Sequence, residues 1–310
     1  MYKYILKRIL LSVGILIGIS FIIYFILYIT PGDPARTKLG TTASEESVQE
    51  LREEWGLNEP FLVQYVTYMK KLLHGDFGTS YRNGKSVLEE IQTRYKVTIP
   101  LQVFALILAM GIGIPFGIYA AVKQYSIIDF STQGLAMLLQ AFPDFLIAML
   151  LMLVFSLKLG WLPSAGNSTP LHFILPCIAV SASSVGGMMR MTKSSMLEVI
   201  RADYVRTAKA KGATESRVIF RHCVRNAMLP VLTNIGTQFA FMMGGAVAIE
   251  TVFAMNGMGA YLLDSIINKN IPCVMGSVLI MAAMVCLVNL IVDCLYGVFD
   301  PRIRAQYTGR

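Results

Sequence analysis

Six apolar runs, each long enough to cross a bilayer, constrain what this chain can fold into more than anything else in it. They lie near Ile9–Ile29, Ile99–Val122, Phe130–Leu157, His172–Met189, Met228–Phe253 and Pro272–Tyr296. A hydrocarbon core about 30 Å thick asks for roughly 20 helical residues. Backbone groups in that core must be satisfied within the protein, so the runs predict helices and not a barrel. Gly113, Pro115, Pro143, Pro176, Gly244 and Gly245 interrupt the runs. They would damage a soluble helix, but spanning helices tolerate them where neighbours re-satisfy the backbone. Composition agrees: over 310 residues the chain is 55% hydrophobic and 15% charged with a mean hydropathy of +0.58, well outside the range of soluble domains. The expected architecture is all-α, a polytopic membrane protein with six transmembrane helices and a small extracytoplasmic helical segment.

Counting Lys and Arg by loop sets the orientation. Lys3, Lys7, Arg8, Lys123, the basic residues of Arg190–Arg225 and Arg302, Arg304 and Arg310 fall on one side, and the short loops on the other side hold only Lys158 and Lys269. Cytoplasmic loops carry the Lys/Arg excess, so both termini are expected in the cytoplasm and the chain in the cytoplasmic membrane as a multi-pass protein. Thr30–Thr98 carries nine basic and ten acidic residues, but segments of that length translocate regardless of charge. The net charge of +8 and pI of about 9.2 are then an inside bias, and no nucleic-acid partner is expected. The first run follows three basic residues but is too long for a signal-peptide core and ends in Thr30-Pro31-Gly32-Asp33-Pro34, without a small-x-small cleavage pattern. It is expected to stay attached as a signal anchor.

The chain divides into residues 1–29, the cytoplasmic N-terminus and first helix; 30–98, extracytoplasmic; 99–296, a five-helix core with a cytoplasmic loop at 190–227; and 297–310, a cytoplasmic tail. In the second part, Ser47-x-x-Glu50 reads as a capping box. Val48, Leu51 and Trp55 share a helical face, and Asn58-Glu59-Pro60 opens a further amphipathic stretch, Phe61–Leu73. So many rings (Phe61, Tyr65, Tyr68, Phe77, Tyr81) predict a packed subdomain in preference to a linker. The small-x-x-x-small pairs Gly113/Gly117 and Gly111/Pro115 predict close helix packing.

Arg190–Arg225 holds nine Lys/Arg against three Asp/Glu, with Ala202, Ala208, Ala210 and Gly212 at near-helical spacing. A short helix ended by Gly212 suits insertion into a partner's groove. Anionic lipid would account for the charge, but not for small residues that allow close backbone approach.

Little else carries chemistry. The five cysteines form no CxxC pair, and His222-Cys223 lacks further ligands nearby in sequence; free thiols and no metal site are expected. Gly84-Lys85-Ser86 provides only the tail of a nucleotide-binding loop, because Thr79 stands where the first glycine belongs and Gly78 is one residue off register. No HExxH, GxSxG or nucleophile triad occurs. No catalytic residues and no cofactor of its own are expected.

Asp203-Tyr204-Val205-Arg206-Thr207-Ala208-Lys209-Ala210-Lys211-Gly212, with Phe220-Arg221-His222 and Arg225-Asn226-Ala227-Met228-Leu229-Pro230, resembles the cytoplasmic signature of the peptide/nickel family of ATP-binding-cassette import permeases. Pro31-Gly32-Asp33-Pro34, His74-Gly75-Asp76-Phe77-Gly78, Glu250-Thr251-Val252-Phe253, Gly257-Met258-Gly259, Asn289-Leu290-Ile291-Val292-Asp293 and Asp300-Pro301-Arg302-Ile303-Arg304 are similar to that family over essentially the whole chain. The resemblance implies a type I importer permease fold and one half of a pore. The other half would be a homologous permease; two ATP-binding subunits would carry ATP and Mg, and an extracytoplasmic binding protein would deliver solute. Ala202, Asp203, Tyr204, Arg206, Ala208, Lys209, Ala210 and Gly212 would form the coupling helix. The glutamate common at the start of this motif in import permeases is replaced by Arg206, as in this branch. Di- or oligopeptides are the expected solutes, with nickel or a nickel chelate as the alternative and a stand-alone secondary transporter or channel as the alternative class. Asp144 beside Pro143 would lie mid-span, where an acid ordinarily faces a cavity, and would complement a cationic group on the solute or bond backbone freed by Pro143. Glu250 is a further pathway candidate, although for it and Asp293 packing or an interfacial salt bridge serves equally well.

Overall fold

The computed structural model describes residues 2–299, with side chains from Ile5 to Leu295. The Asp300–Arg304 motif, Arg310 and the side chain of Lys3 lie outside the described residues. The helices are α1 (Tyr2–Ile29), α2 (Pro34–Leu39), α3 (Glu45–Glu54), α4 (Phe61–Leu73), α5 (Val87–Val122), α6 (Ile127–Ala141), α7 (Asp144–Leu151), α8 (Leu171–Ile200), α9 (Asp203–Ala210), α10 (Glu215–Arg217), α11 (Arg225–Val252), α12 (Met258–Ile267) and α13 (Ile271–Phe299). Wider π-helical turns, Met152–Lys158 and Val218–Val224, prolong α7 and lead into α11. Among the described residues strand pairing is confined to an isolated bridge between Thr79 and Ser86.

Among the described residues five helices are long and apolar enough to span a membrane, and the bent pair α6–α7 makes a sixth if it crosses as one broken span. Phe130–Leu157 is expected from sequence as one continuous span. It is instead broken at Phe142-Pro143, and its two halves diverge by 98°. Pro143 has no N–H for the helix ladder, and Phe142 before it takes extended backbone (φ −89°, ψ 133°), as a residue preceding proline prefers. Pro100, Pro115, Pro176 and Pro230 stay inside helices. At Pro143 the next residue is an acid, whose charge suits a new helix N-terminus. A second difference concerns the basic stretch, which is helical for most of its length: α8 runs on to Ile200, followed by α9, α10 and the start of α11.

Packing divides the chain into two units. The first comprises Ile99–Met255 with the described residues before Ile9 and after Met284. Its centre is α8, half of whose apolar window is buried. Gly113 and Gly117 bring α5 onto it: a Cβ at Gly113 would stand 2.4 Å from Met188 Cβ, and one at Gly117 2.7 Å from the Met189 carbonyl oxygen. Gly111 meets nothing within 4 Å, so of the two small-residue pairs only Gly113/Gly117 closes this contact. Gly236 on α11 leaves room for the amide of Asn289 on α13, and Asp293 is held by Arg8 at 3.1 Å.

The second unit comprises Ile9–Thr98 and Asn256–Met284. The expected capping box at Ser47 lies one turn too late: Ser44 caps α3, its hydroxyl accepting from the Ser47 N–H at 3.2 Å. Asp33 caps α2 through the Ala35 N–H and pairs with Arg52 at 2.9 Å, a structural task for the Pro31–Pro34 motif. The rings expected to pack do so. Phe61 and Tyr65 of α4 meet Phe21 and Tyr24 of α1 with centroids 5.4–6.1 Å apart, Tyr81 stacks on Trp55 at 3.8 Å, and Phe77 joins Val87, Ile91, Met258 and Cys273. The segment before α5 is strapped down by Asn270, whose side chain bonds Ser80 Oγ (2.9 Å) and the Tyr81 N–H (3.1 Å), and by a bidentate Arg82–Asp264 pair. Burial pushes the Tyr68 and Tyr81 hydroxyls well above their ordinary titration range, so both stay neutral. The Lys85 N–H donates to Asn83 Oδ1 at 3.1 Å in a local turn, and its ammonium lies 3.9 Å from Glu90.

Candidate functional site

α9 is a surface helix with one apolar anchor. Ala202 precedes it in extended conformation, Asp203 sits in its first turn and Lys209 in its last, the charge order the helix dipole favours. Val205 is 1% exposed and packs with Ala121, Met196, Val218, Cys223 and Ala227. Burying that side chain contributes on the order of 2 kcal/mol, enough to fix the helix against the ends of α5, α8 and α11. Ala208 is half-buried and packs against the same cluster. Tyr204, Arg206, Lys209 and Ala210 face outward, and Ala202 is half-buried at the start. The Tyr204 hydroxyl accepts from Asn226 Nδ2 at 3.0 Å, and Asn226 also donates to the His222 carbonyl, tying the outer face to the π-turn before α11.

Gly212 ends the helix. It has φ +78° and donates to the Lys209 carbonyl at 2.9 Å while Ala213 donates to that of Ala208 at 3.2 Å, the two bonds of a Schellman motif. A Cβ there would meet nothing within 4 Å, so glycine is required by the left-handed backbone and not by space. Gly212→Ala is expected to cost about 1 kcal/mol and Gly212→Asn less; faster hydrogen exchange of the α9 amides in the alanine variant checks it.

One basic residue of the stretch is not on the outer surface. Lys193 of α8 forms an ion pair with Asp129 of α6, side chains 17% and 6% exposed. Asp129 also accepts from the Tyr125 N–H at 3.1 Å, and the Ser126 hydroxyl accepts from the Asp129 N–H at 3.3 Å. Asp129 is not among the residues singled out from the sequence, although Ser126-x-x-Asp129 has the spacing of a helix start.

Asp144 opens α7 directly after the break, with Pro143 exposed before it. Its Oδ2 lies where a Cβ on Gly245 of α11 would be 3.4 Å away, Ser183 of α8 is its polar neighbour, and its Oδ1 is buried without a hydrogen-bond partner among the described residues. At the break Pro143 is thus exposed, whereas Asp144 is half-buried and turned onto α8 and α11. Glu250 differs: it is 0% exposed, which puts it in the packing of α11 instead of on an accessible wall.

The profile described as "Binding-protein-dependent transport system inner membrane component" matches residues 113–305, and that of the N-terminal part of such membrane components matches residues 1–102. The chain is 39% identical to the dipeptide transport system permease protein DppB of Alkalihalophilus pseudofirmus over 98% of this chain and 100% of that one. It is 38% identical to the oligopeptide transport system permease protein AppB of Bacillus subtilis over 98% and 99%. It is 39% identical to the glutathione transport system permease protein GsiC of Salmonella typhimurium over 98% and 99%. Among solved structures, the MetNI methionine ABC transporter in an inward-facing conformation superposes with a TM-score of 0.59 at 14% identity, over 69% of this chain and 97% of that one; the likeness is one of fold.

Proposed function

The chain belongs to the family of binding-protein-dependent transport system inner membrane components, and from that membership we propose that it forms half of the pore through which an ABC importer carries di- or oligopeptides. It is a multi-pass membrane subunit, not an enzyme; hydrolysis of ATP with Mg belongs to two partner ATP-binding subunits. A homologous permease supplies the other half of the pore, and an extracytoplasmic binding protein delivers the solute. Full-length similarity to permeases named for dipeptide, oligopeptide and glutathione transport favours peptides over nickel.

The observation that carries the coupling role is the construction of α9: one buried valine anchors it, and Tyr204, Arg206, Lys209 and Ala210 are left outward. Asp203 and Gly212 set its ends, while Ala202 and Ala208 seat it on the core. Closure of the ATP-binding subunits on that face would move α9 as a rigid lever on α8 and α11, and rocking of the spans alternates access to the solute. The pathway runs past Pro143 and Asp144 at the break. The test is reconstitution with the partner permease, ATPases and binding protein, expecting peptide uptake that stops when either ATP or the binding protein is omitted. Uptake by this chain alone would instead establish a secondary transporter or channel.

Orientation is tested separately. A reporter at Ser216 is expected in the cytoplasm and reporters at Asn83 and Asn167 outside, with both termini cytoplasmic; a reporter on the opposite face sinks the assignment.

A further inference from the structure

At the middle of the first unit, polar side chains from three elements gather on glycines. The α6–α7 break lies at the centre of that bent pair, Gly186-Gly187 at the centre of α8 and Gln238 at the centre of α11. A Cβ on Gly186 would stand 3.0 Å from Nε2 of Gln140, the last polar residue of α6. One on Gly187 would stand 2.6 Å from Gln238 Nε2 and 3.7 Å from Gln140 Nε2. The glycine pair is therefore the floor on which both amides lie, and Asp144 rests on Gly245 in the same way. Gln140 Nε2 and Asp144 Oδ1 are buried and have no hydrogen-bond partner among the described residues. A buried donor and a buried acceptor left unmade are costly, and the two residues flank the break, with Ala141, Phe142 and Pro143 between them in sequence.

We propose that this cluster is a solute subsite that reads the amino end of a peptide backbone: Asp144 takes the terminal ammonium, and the Gln140 amide donates to the first peptide carbonyl, with Gln238 beside it. This rests on the peptide-permease reading above and deepens it. Both groups are common to every peptide whatever its side chains, so the subsite tolerates sequence while demanding a free amino end. Selection of that end is then made in the pore as well as by the binding protein.

The test uses the complete transporter in proteoliposomes with trialanine and N-acetyl-trialanine as probes, each variant's uptake being divided by that of the parent protein so that the binding protein's own preference cancels. Asp144→Asn is expected to lower trialanine uptake about ten-fold or more and leave the acetylated ratio unchanged, since one charge-assisted bond is lost. Gln140→Leu is expected to lower both by a similar factor of about five to ten, because both peptides keep that carbonyl. Asp144→Glu, which keeps the charge, retains the preference for the free amino end, and co-purification of all subunits verifies assembly. Equal effects of Asp144→Asn on the two peptides, no effect of Gln140→Leu, or loss of the preference in Asp144→Glu overturns the subsite while the peptide reading stands. A parent transporter that moves neither peptide overturns both.

Discussion

Adding a single methyl group at Gly117 is expected to destabilise the subunit by about 2–3 kcal/mol, and a valine there by more, to the point where little folded protein accumulates. The new Cβ would stand 2.6 Å from Thr192 Cβ and 2.7 Å from the Met189 carbonyl oxygen. The second of these is backbone of α8 and cannot rotate away, so α5 must back off along the whole contact. Intrinsic preference works the other way, since alanine is favoured over glycine inside a helix by about 1 kcal/mol. That makes Gly111→Ala, on the same helix with nothing within 4 Å, the matched control: it should hold or slightly raise stability. Thermal unfolding of the two variants in detergent measures the difference, and a Gly117→Ala protein as stable as Gly111→Ala would mean that α5 and α8 do not approach as described.

Reversing the charge of α9's outer face by Arg206→Glu with Lys209→Glu is expected to weaken association with the ATP-binding subunits a hundred-fold or more, equivalent to about 2.7 kcal/mol, and to abolish uptake. Folded yield should not change, because both side chains are exposed and neither takes part in the cluster around Val205. Val205→Asp separates docking from folding. It puts a carboxylate among Met196, Val218 and Ala227, so that variant should lose stability as well as association. If the reversed-charge protein still retained its ATPases but no longer bound anionic vesicles, the basic face would be a lipid contact and the coupling assignment would fall.

How far the sequence reached differs between the two sites. The basic helix was legible in outline because charge, small residues and a terminal glycine are local signals, and the Schellman geometry at Gly212 is a local consequence of them. Which way Ala208 faces was not legible: alanine is compatible with either side, and only the position of Met196 and Val218 makes one side the interior. The Asp129–Lys193 pair joins residues far apart in sequence, and nothing along the chain says that they meet. At Asp144 the acid was conspicuous as a charge within an apolar run, but its partners Gly245 and Ser183 lie on other helices.

For the fold, hydrophobic length by itself determined that this is a helical membrane protein, because the bilayer imposes one requirement on every crossing segment. Aromatic density determined that the segment after α1 packs. Tertiary structure alone decided that the third span breaks at Pro143 while four other prolines ride inside helices, since a proline is tolerated only where neighbours take up the backbone groups it frees. It alone decided, too, which of the two small-residue pairs closes a helix contact: both have the spacing, but only Gly113 and Gly117 have a backbone waiting opposite.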